Sequence, residues 1–324
     1  MADISPMAIT ATGLRKSYGE QTVLDGIDLN VAPGTVFSLL GPNGSGKTTT
    51  VKILTTLIPA DGGEMWVGGH SVLEDGPLVR ATIGVTGQFS AVDRFLTGEE
   101  NLLLMGDLNH LPRAESRQRC AELLERFELV DAAKKIIRTY SGGMKRRLDL
   151  AMSLMGKPSI IFLDEPTTGL DPRSRHTLWQ IIRELVDDGV TIFLTTQYLE
   201  EADQLADRVA VLDQGKLVAE GTPAELKQRV PGGHISVQFP DADSLDRGAR
   251  RLGATTRDNE AFTLQIGGGS SAAEVKAVLD KLFDAAIPVD TVSVHTPDLD
   301  DVFFALTGHG KSENEKENEK VSAS

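Results

Sequence analysis

Short runs of Val, Ile, Leu and Phe alternate with amphipathic stretches along residues 8–230. The three most prominent runs are TVFSLL at residues 35–40, SIIFL at 159–163 and VTIFL at 190–194. Buried strands that alternate with helical stretches form a parallel sheet covered by helices. This part of the chain therefore predicts an α/β domain.

The stretch from about residue 90 to 157 has a different character, because its pattern is mainly helical. The segment ESRQRCAELLERFELV, for example, has its apolar residues on one side of a helix. We expect this stretch to form a helical subdomain within the larger α/β domain of residues 8–230.

A Pro-Gly-Gly break at residues 231–233 begins a third kind of pattern. The order is strand (HISVQF), helix (SLDRGARRLG), strand, strand (FTLQI), helix (AAEVKAVLDKLFDAA) and strand (DTVSV), followed by a short helix in DLDDVFFALTG. This βαββαβ order predicts a small ferredoxin-like domain over residues 231–308. Residues 309–324 are almost free of apolar side chains, so we expect a disordered tail.

Composition restricts the classes of function. The chain has 324 residues, 40% of them hydrophobic, which is sufficient for a substantial core. Its formal net charge of −14 argues against nucleic acid as a partner, because binding a phosphate backbone requires clustered Lys and Arg. Cys120 is the only cysteine, and the six histidines include no HxxxH pair, so neither a disulfide nor a metal site made from protein side chains alone is expected.

The sequence shows no apolar run near the roughly 20 residues that span a bilayer. The start, MADISPMAIT, lacks the basic and apolar segments of a signal peptide. We expect a soluble chain, although its partner need not be soluble.

The segment GPNGSGKTT fits the pattern G-x-x-x-x-G-K-[ST] and stands between a predicted strand and a predicted helix. Glycines let backbone N–H groups close around phosphate oxygens, and the helix N-terminus favours negative charge. Lys47 is expected to reach the β- and γ-phosphates of ATP and Thr48 to ligate Mg²⁺. The residues of this P-loop are Gly41, Pro42, Asn43, Gly44, Ser45, Gly46, Lys47, Thr48 and Thr49.

A second strand, SIIFLDEP, ends in Asp164 and Glu165. Acidic residues at the carboxyl edge of a parallel sheet lie near the ligand crevice. Asp164 is therefore a candidate Mg²⁺ ligand, and Glu165 a candidate for polarising the attacking water.

Six segments resemble, in order, the nucleotide-site elements of ABC-type ATPases: GPNGSGKTT, Gln88 in VTGQFS, YSGGM, LDEP, GLDP and the strand-end Gln197. The similarity covers about residues 8–230. It implies an α/β P-loop NTPase cassette, with a RecA-like core plus the helical subdomain, followed by the small α+β ferredoxin-like domain.

The resemblance also implies roles for further residues. Tyr18 matches the aromatic residue that stacks on adenine, Gln88 the glutamine that senses Mg²⁺ and water, and Asp171 an acidic residue of the contact between subunits. The family forms head-to-tail dimers with two ATP molecules between the subunits, so each P-loop would face the signature of the other subunit. The signature residues are Ser141, Gly142 and Gly143.

Three positions depart from the usual family pattern. Tyr140 and Met144 stand where Leu and Gln commonly flank Ser-Gly-Gly, and Gln197 stands where the family has histidine. An amide can donate the same hydrogen bond without a positive charge. We expect Glu165 to be the general base and Gln197 a catalytic positioning donor; the alternative is a subunit that binds ATP but hydrolyses it poorly.

TTQYLEEAD, VTGQFSAVDRFLTGEENL and the terminal LDDVFFALTG resemble the ATP-binding subunits of daunorubicin-resistance exporters. This resemblance implies an ATPase dimer, expected to be a homodimer, at the cytoplasmic face of the bacterial membrane. It would act on a separate multi-span permease that carries the transported small molecule, with residues 88–101 as the coupling surface. The alternative is a soluble ABC ATPase that is not coupled to transport.

Lys145, Arg146 and Arg147 form a basic cluster directly after the signature. A charge run of this kind is most often a solvated helix face. The second interpretation is proximity to phosphate or to an anionic membrane surface.

Overall fold

The computed structural model of the protein describes residues 7–87, 91–229, 233–253, 256–267 and 272–307. The chain forms two compact units that divide between Pro223 and Ala224. The expected tail, 309–324, lies outside the described residues.

The first unit contains most of the secondary structure. Its elements are β1 (Ile9–Tyr18), β2 (Gln21–Val31), β3 (Val36–Leu40), α1 (Lys47–Leu54), β4 (Gly62–Val67), β5 (His70–Ser71), α2 (Gly76–Thr82), β6 (Ile83–Thr86), α3 (Gly98–Leu108), α4 (Arg113–Arg126), α5 (Gly142–Ser153), β7 (Ile160–Asp164), α6 (Pro172–Asp187), β8 (Thr191–Thr196), α7 (Leu199–Leu205), β9 (Arg208–Asp213) and β10 (Lys216–Gly221). Helix α8 (Pro223–Gln228) begins at the boundary between the units.

The central sheet has six strands in the order β10-β9-β3-β8-β7-β6. Strands β9, β3, β8, β7 and β6 pair in parallel, and β10 is antiparallel to its neighbour. Every residue of β3, β7 and β8 is buried. The rings of Phe37 and Phe162 pack on Phe193 at centroid distances of 5.5 and 5.4 Å, which joins these three strands on one face. The α/β prediction is confirmed.

A second sheet was not predicted. Strands β2, β1, β4 and β5 form an antiparallel sheet in that order. Burial alternates along much of β1 and β2, as expected for strands that pack one face on a core. A tight turn joins them, and Gly19 adopts φ 60° there, a left-handed conformation that glycine accepts without steric cost. The prediction of a single parallel sheet for this region was therefore incomplete.

Helices α3, α4 and α5 lie within the stretch that the pattern predicted to be helical. Thr97 and Glu100 form a capping box at the start of α3. Arg119 on α4 donates to the carbonyls of Leu154 and Met155, just after α5. These contacts, together with a shared apolar core, hold the three helices as one packed layer.

The second unit has the elements β11 (His234–Gln238), α9 (Ala242–Leu252), β12 (Thr256–Asp258), β13 (Thr263–Gly267), α10 (Ala272–Asp284), β14 (Thr291–His295) and α11 (Leu299–Thr307). Its sheet order is β12-β13-β11-β14, and all pairs are antiparallel. This is the order of a ferredoxin-like fold, so that prediction is confirmed, as is the short closing helix α11.

The same unit contains a cluster of three ligand-type side chains within one short segment of the chain. Ligand-type atoms of His295, Asp298 and Asp301 lie within 4.8 Å of one another. These groups bond to each other at the start of α11. Asp301 Oδ2 accepts from the backbone N of Asp298 and is paired with His295 Nε2 at 2.8 Å, while Asp298 Oδ1 accepts from the backbone N of Asp301. The cluster caps the helix.

Within the described ranges, the helices are all too short or too polar to cross a bilayer.

Candidate active site

The P-loop joins the buried strand β3 to helix α1. Gly46 stands at the N-cap with φ 113°, and Gly44 has φ 82°. A Cβ on Gly41 would lie 2.2 Å from the carbonyl oxygen of Leu212, and one on Gly46 would lie 2.5 Å from Leu24 Cδ2. Glycine is required here both for conformation and for space. The backbone N–H groups that begin α1 can therefore face an anion.

Lys47 is the first residue of α1, and its side chain folds back over the loop. Its ammonium donates to the carbonyls of Gly41 at 2.8 Å and Pro42 at 3.0 Å, and it lies 3.6 Å from Glu165 Oε1. Burial lowers the pKa of Lys47, and the nearby Glu165 carboxylate partly offsets that shift. The loop thus presents a buried cation that is paired with acceptor oxygens.

Asp164 ends strand β7 and faces α1. Its Oδ1 accepts hydrogen bonds from Thr48 Oγ1 at 3.2 Å and from Thr195 Oγ1 at 2.6 Å. The hydroxyl of Thr48 and the carboxylate of Asp164 are hard oxygen donors, so this pair fits Mg²⁺. Parallel pairing of β7 with β8 aligns Asp164 with Thr195. The sheet register therefore places the Thr195 hydroxyl where it can bond to the carboxylate and hold it in place.

Glu165 has an unusual backbone conformation. Its φ of 49° lies in the left-handed region, which costs a residue with a Cβ about 1–2 kcal/mol. Its backbone N donates to the carbonyl of Thr195 at 3.1 Å, and its Oε2 accepts from Thr168 Oγ1 at 3.4 Å. The conformation turns the side chain away from the strand direction and towards Lys47.

A cavity of about 350 Å³ lies over the P-loop. It is lined by Gln21, Val23, Asn43, Gly44, Gly46, Lys47, Thr48, Thr49 and Glu165. Gln21 pairs with Tyr18 across the hairpin between β1 and β2, so Tyr18, whose side chain is half exposed, is the strand partner of a residue that lines this cavity. Ser45 Oγ is buried in the loop and has no hydrogen-bond partner within the described part of the chain.

The predicted signature residues lie at the start of α5. Ser141 is the N-cap, and its side chain accepts from the backbone N of Met144 at 3.2 Å. Asp171 caps α6 in the same way and accepts from the backbone N of Ser174 at 2.9 Å and from Ser174 Oγ at 2.6 Å. The hydrogen bond from the Ser174 side chain is the main cause that lowers the pKa of Asp171. The starts of α5 and α6 lie next to each other, and Gly143 of α5 packs against Ser174 of α6.

Replacing Gly143 with Ala should disturb this junction, whereas the same change at Gly142 should not. A Cβ on Gly143 would lie 2.5 Å from Ser174 Oγ, but the nearest atom to a Cβ on Gly142, Leu170 Cδ2, is 4.0 Å away. We expect Gly143→Ala to cost about 1–3 kcal/mol of unfolding free energy, as overpacking does. Chemical denaturation of the two variants measures the difference. Equal stability would contradict this packing argument.

The structure describes only one of the two glutamines that were predicted to belong to the site. Gln197 directly follows β8 and is half-buried, one strand away from Asp164 and two residues beyond Thr195. Gln88 lies outside the described residues, so its assignment as a Mg²⁺ ligand stays a prediction.

Sequence reasoning missed Arg146. The solvated-face interpretation of the basic cluster is wrong for this residue, which is 8% exposed. Its guanidinium donates to the carbonyls of Gly87, Asp164, Glu165 and Pro166. The spacing of side chains along the sequence gives no signal for such a role, because backbone carbonyls are the partners.

Thr195 was missed for a related reason. It is fully buried inside an apolar strand, and its hydroxyl makes a close contact with Asp164. Only the parallel register of β7 and β8 shows that it belongs to the site.

The geometry defines a class of protein. A glycine-rich loop after the buried strand β3 carries a lysine into a cavity that Glu165 also lines, and Asp164, the preceding residue, accepts a hydrogen bond from Thr48 in the same cavity wall. These are the parts of a P-loop nucleoside triphosphatase.

Comparison with known proteins narrows this class. The ABC transporter family matches residues 24–168. A daunorubicin resistance ATP-binding protein, DrrA3 of Streptomyces coeruleorubidus, is 48% identical over 303 residues, which cover 93% of this chain and 96% of that protein. The daunorubicin/doxorubicin resistance ATP-binding protein DrrA of Streptomyces peucetius is 46% identical over 97% of this chain and 98% of its own length.

A solved structure of an ATP-binding cassette is also similar to this chain. A dimeric ATP-binding cassette in a post-hydrolysis state bound to ADP and Pi is 28% identical, with a TM-score of 0.61, and the match covers 66% of this chain and 98% of that one. The chain belongs to the ABC transporter family of ATP-binding proteins, and it is an ATPase.

Proposed function

We propose that this protein is the ATP-hydrolysing subunit that powers export of drugs, antibiotics or other hydrophobic small molecules through a separate membrane permease. The observation that carries the proposal is that Lys47 and Glu165 line one cavity, with Asp164 bonded to Thr48 beside them, in a chain that is 46–48% identical to drug-resistance ATP-binding proteins. The site supports hydrolysis, and the relatives support export.

The proposed nucleotide residues divide the binding task. The segment Gly41–Thr49 binds the phosphates through Lys47 and through its backbone N–H groups, which all of its residues except Pro42 have, and Tyr18 stacks on the adenine. Lys47 already lies among acceptor oxygens, so exchanging the carbonyls of Gly41 and Pro42 for phosphate oxygens keeps its charge satisfied.

Mg²⁺ is the expected cofactor, and Thr48 and Asp164 would hold it together with Gln88. When bound it would supply positive charge that neutralises the phosphates. The chain's own contribution is to keep the carboxylate of Asp164 oriented through Thr195.

Glu165 is the proposed general base for the attacking water. In the structure its Oε1 is engaged by Lys47 at 3.6 Å. Transfer of Lys47 to phosphate weakens this pair and leaves the carboxylate able to accept a proton from water. Gln197 would donate a hydrogen bond that positions the reacting groups, without the charge of a histidine.

Subunit pairing follows the family's head-to-tail arrangement, and we propose a homodimer. The N-terminus of α5, where Ser141 and Gly142 are exposed and Gly143 is buried, would meet the γ-phosphate bound by the other subunit. Asp171 would lie at the same interface. The related cassette that is dimeric with ADP and Pi bound supports this assembly.

The proposed coupling surface to the permease comprises residues 88–101, at the cytoplasmic face of the membrane. Residues 88–90 of this surface lie outside the described part of the chain. Phe95, next to the α3 cap, is 79% exposed. An exposed aromatic side chain in the turn just before a capped helix is suited to burial against a partner.

Recovery from native membranes tests the proposal. A tagged Glu165→Gln protein, incubated with ATP and Mg²⁺ and purified from detergent-solubilised membranes, should bring a multi-span permease with it in roughly equal amount. A Phe95→Ala variant should recover less of it, and Leu57→Ala, also exposed but outside the coupling surface, should not. Mass spectrometry identifies the partners.

Recovery of only soluble or ribosomal partners would contradict the export role. It would favour an ABC ATPase that is not coupled to transport, with the same nucleotide site.

A further inference from the structure

The buried guanidinium of Arg146 connects helix α5 with two other segments of the first unit, residues 164–166 and the segment that ends at Gly87. Arg146 lies on α5, five residues after Ser141. Its Nε donates to the carbonyl of Pro166 at 2.7 Å, and its Nη2 donates to those of Asp164 and Glu165 at 3.1 and 3.2 Å. Three consecutive carbonyls of the acidic segment therefore converge on a single guanidinium.

That convergence requires the backbone of Glu165 to leave the extended conformation. In an extended strand, successive peptide groups point in opposite directions, so neighbouring carbonyls cannot meet one donor group. Glu165 instead has φ 49°, in the left-handed region. A strained conformation of this kind persists only where surrounding contacts stabilise it. Arg146 supplies such contacts, and they are charge-assisted.

The same side chain also reaches the segment that leads to Gln88. Arg146 Nη1 donates to the carbonyl of Gly87 at 2.7 Å and lies 3.5 Å from Asp149 Oδ2, one helical turn further along α5. Asp149 Oδ1 in turn accepts from the backbone N of Ala91 at 3.0 Å. Arg146 and Asp149 thus anchor the two residues on either side of residues 88–90.

Both members of the pair are buried, at 8% and 4% exposure. Burial raises the pKa of Asp149 to about 6, although the bond from Ala91 and the charge of Arg146 favour its ionised form. A buried ion pair is a weak source of stability, because desolvation offsets the attraction. The pair is better explained by the backbone groups that it holds in place.

We propose that Arg146 is a positioning residue for ATP hydrolysis, which sets the backbone of Glu165 so that its carboxylate faces the nucleotide cavity. The proposal rests on the role of Glu165 proposed above. Arg146 acts through the carbonyls of residues 164–166 rather than by touching substrate or metal. Asp149 orients it and, with it, ties the signature helix to both ends of the 88–90 segment.

The chain offers a matched control in Arg147. This neighbour bonds the carbonyl of Phe127 and the carboxylate of Glu128, both at 2.9 Å, away from the acidic segment. Replacement of each arginine by lysine keeps the charge but removes the planar fork that serves several acceptors at once. Any effect specific to the guanidinium at 146 should be absent at 147.

The test compares Arg146→Lys, Arg146→Gln and Arg147→Lys, each alone and in a Glu165→Gln background. We expect both changes at Arg146 to lower kcat about tenfold or more, as loss of a transition-state positioning contact does, with KM within about twofold of its original value. Arg147→Lys should leave both constants unchanged. Binding of a fluorescent ATP analogue and thermal melting are measured in parallel.

The background variant separates positioning from general support of the fold. If Arg146 acts through the Glu165 carboxylate, Arg146→Lys should not lower the residual single-turnover rate of Glu165→Gln any further. An equal fractional loss in both backgrounds, or an unchanged kcat, would overturn the proposal. So would failure of both Arg146 variants to fold, because the residue would then serve stability.

Failure of the underlying assignment is distinguishable from failure of this inference. If Glu165 is not the base, Glu165→Gln alone retains its turnover, whatever Arg146 does. If the permease is not the partner, the kinetic results stand unchanged.

Discussion

Replacing Glu165 with Gln is expected to lower steady-state ATP hydrolysis about 10²–10⁴-fold, the usual contribution of a positioned general base. The amide has nearly the same shape as the carboxylate, so the left-handed backbone and the contact with Thr168 can remain. What is lost is the group that can accept a proton beside Lys47. Binding of ATP should persist, because Lys47 and the P-loop backbone are unchanged.

Phosphate release measures the rate, and a fluorescent ATP analogue measures binding. Glu122→Gln is the matched control, since Glu122 is exposed on α4 and accepts from the Gln118 side chain one turn earlier. A Glu165→Gln protein that hydrolyses ATP within about twofold of the original rate would show that another group activates the water.

Lys47→Ala is expected to weaken ATP binding about 10- to 100-fold, because a charge-assisted hydrogen bond is worth about 1.5–3 kcal/mol. The change removes the cation that lines the cavity. It also leaves the buried Glu165 carboxylate without its Lys47 ion pair, so the unfolding free energy should fall. Hydrolysis at limiting ATP should decrease at least as much as binding.

Titration with a fluorescent ATP analogue measures the affinity. Lys52→Ala is the control, because Lys52 is exposed in the last turn of the same helix. Unchanged affinity in Lys47→Ala would remove Lys47 from the proposed phosphate contacts and would leave the backbone N–H groups as the main determinants.

The segments with strong local constraints could be predicted from the sequence. A lysine after a glycine-rich loop, flanked by an apolar run and a helix, has few structural interpretations, and Gly41–Thr49 is built as expected. The strand-end pair Asp164 and Glu165 follows from the same logic. The order of elements in the C-terminal unit was also sufficient to predict its ferredoxin-like sheet.

Elements defined by pairing rather than by local pattern were missed. The antiparallel sheet of β2, β1, β4 and β5 was not predicted, because its edge strand β5 has only two residues and the rest resembles the neighbouring α/β pattern. Its consequence for the site is direct, since the β1–β2 hairpin supplies Gln21 and Val23 to the cavity.

Local sequence was enough to define the class of chemistry, because glycine, lysine and acidic residues at fixed spacings are features that a short segment can encode. How those groups are held depends on the packed fold. Thr195 meets Asp164 only through the parallel register of β7 and β8, and Arg146 meets Glu165 only through backbone carbonyls. Every residue has a carbonyl, so no sequence pattern marks the ones that a buried guanidinium will bind; tertiary packing selects them.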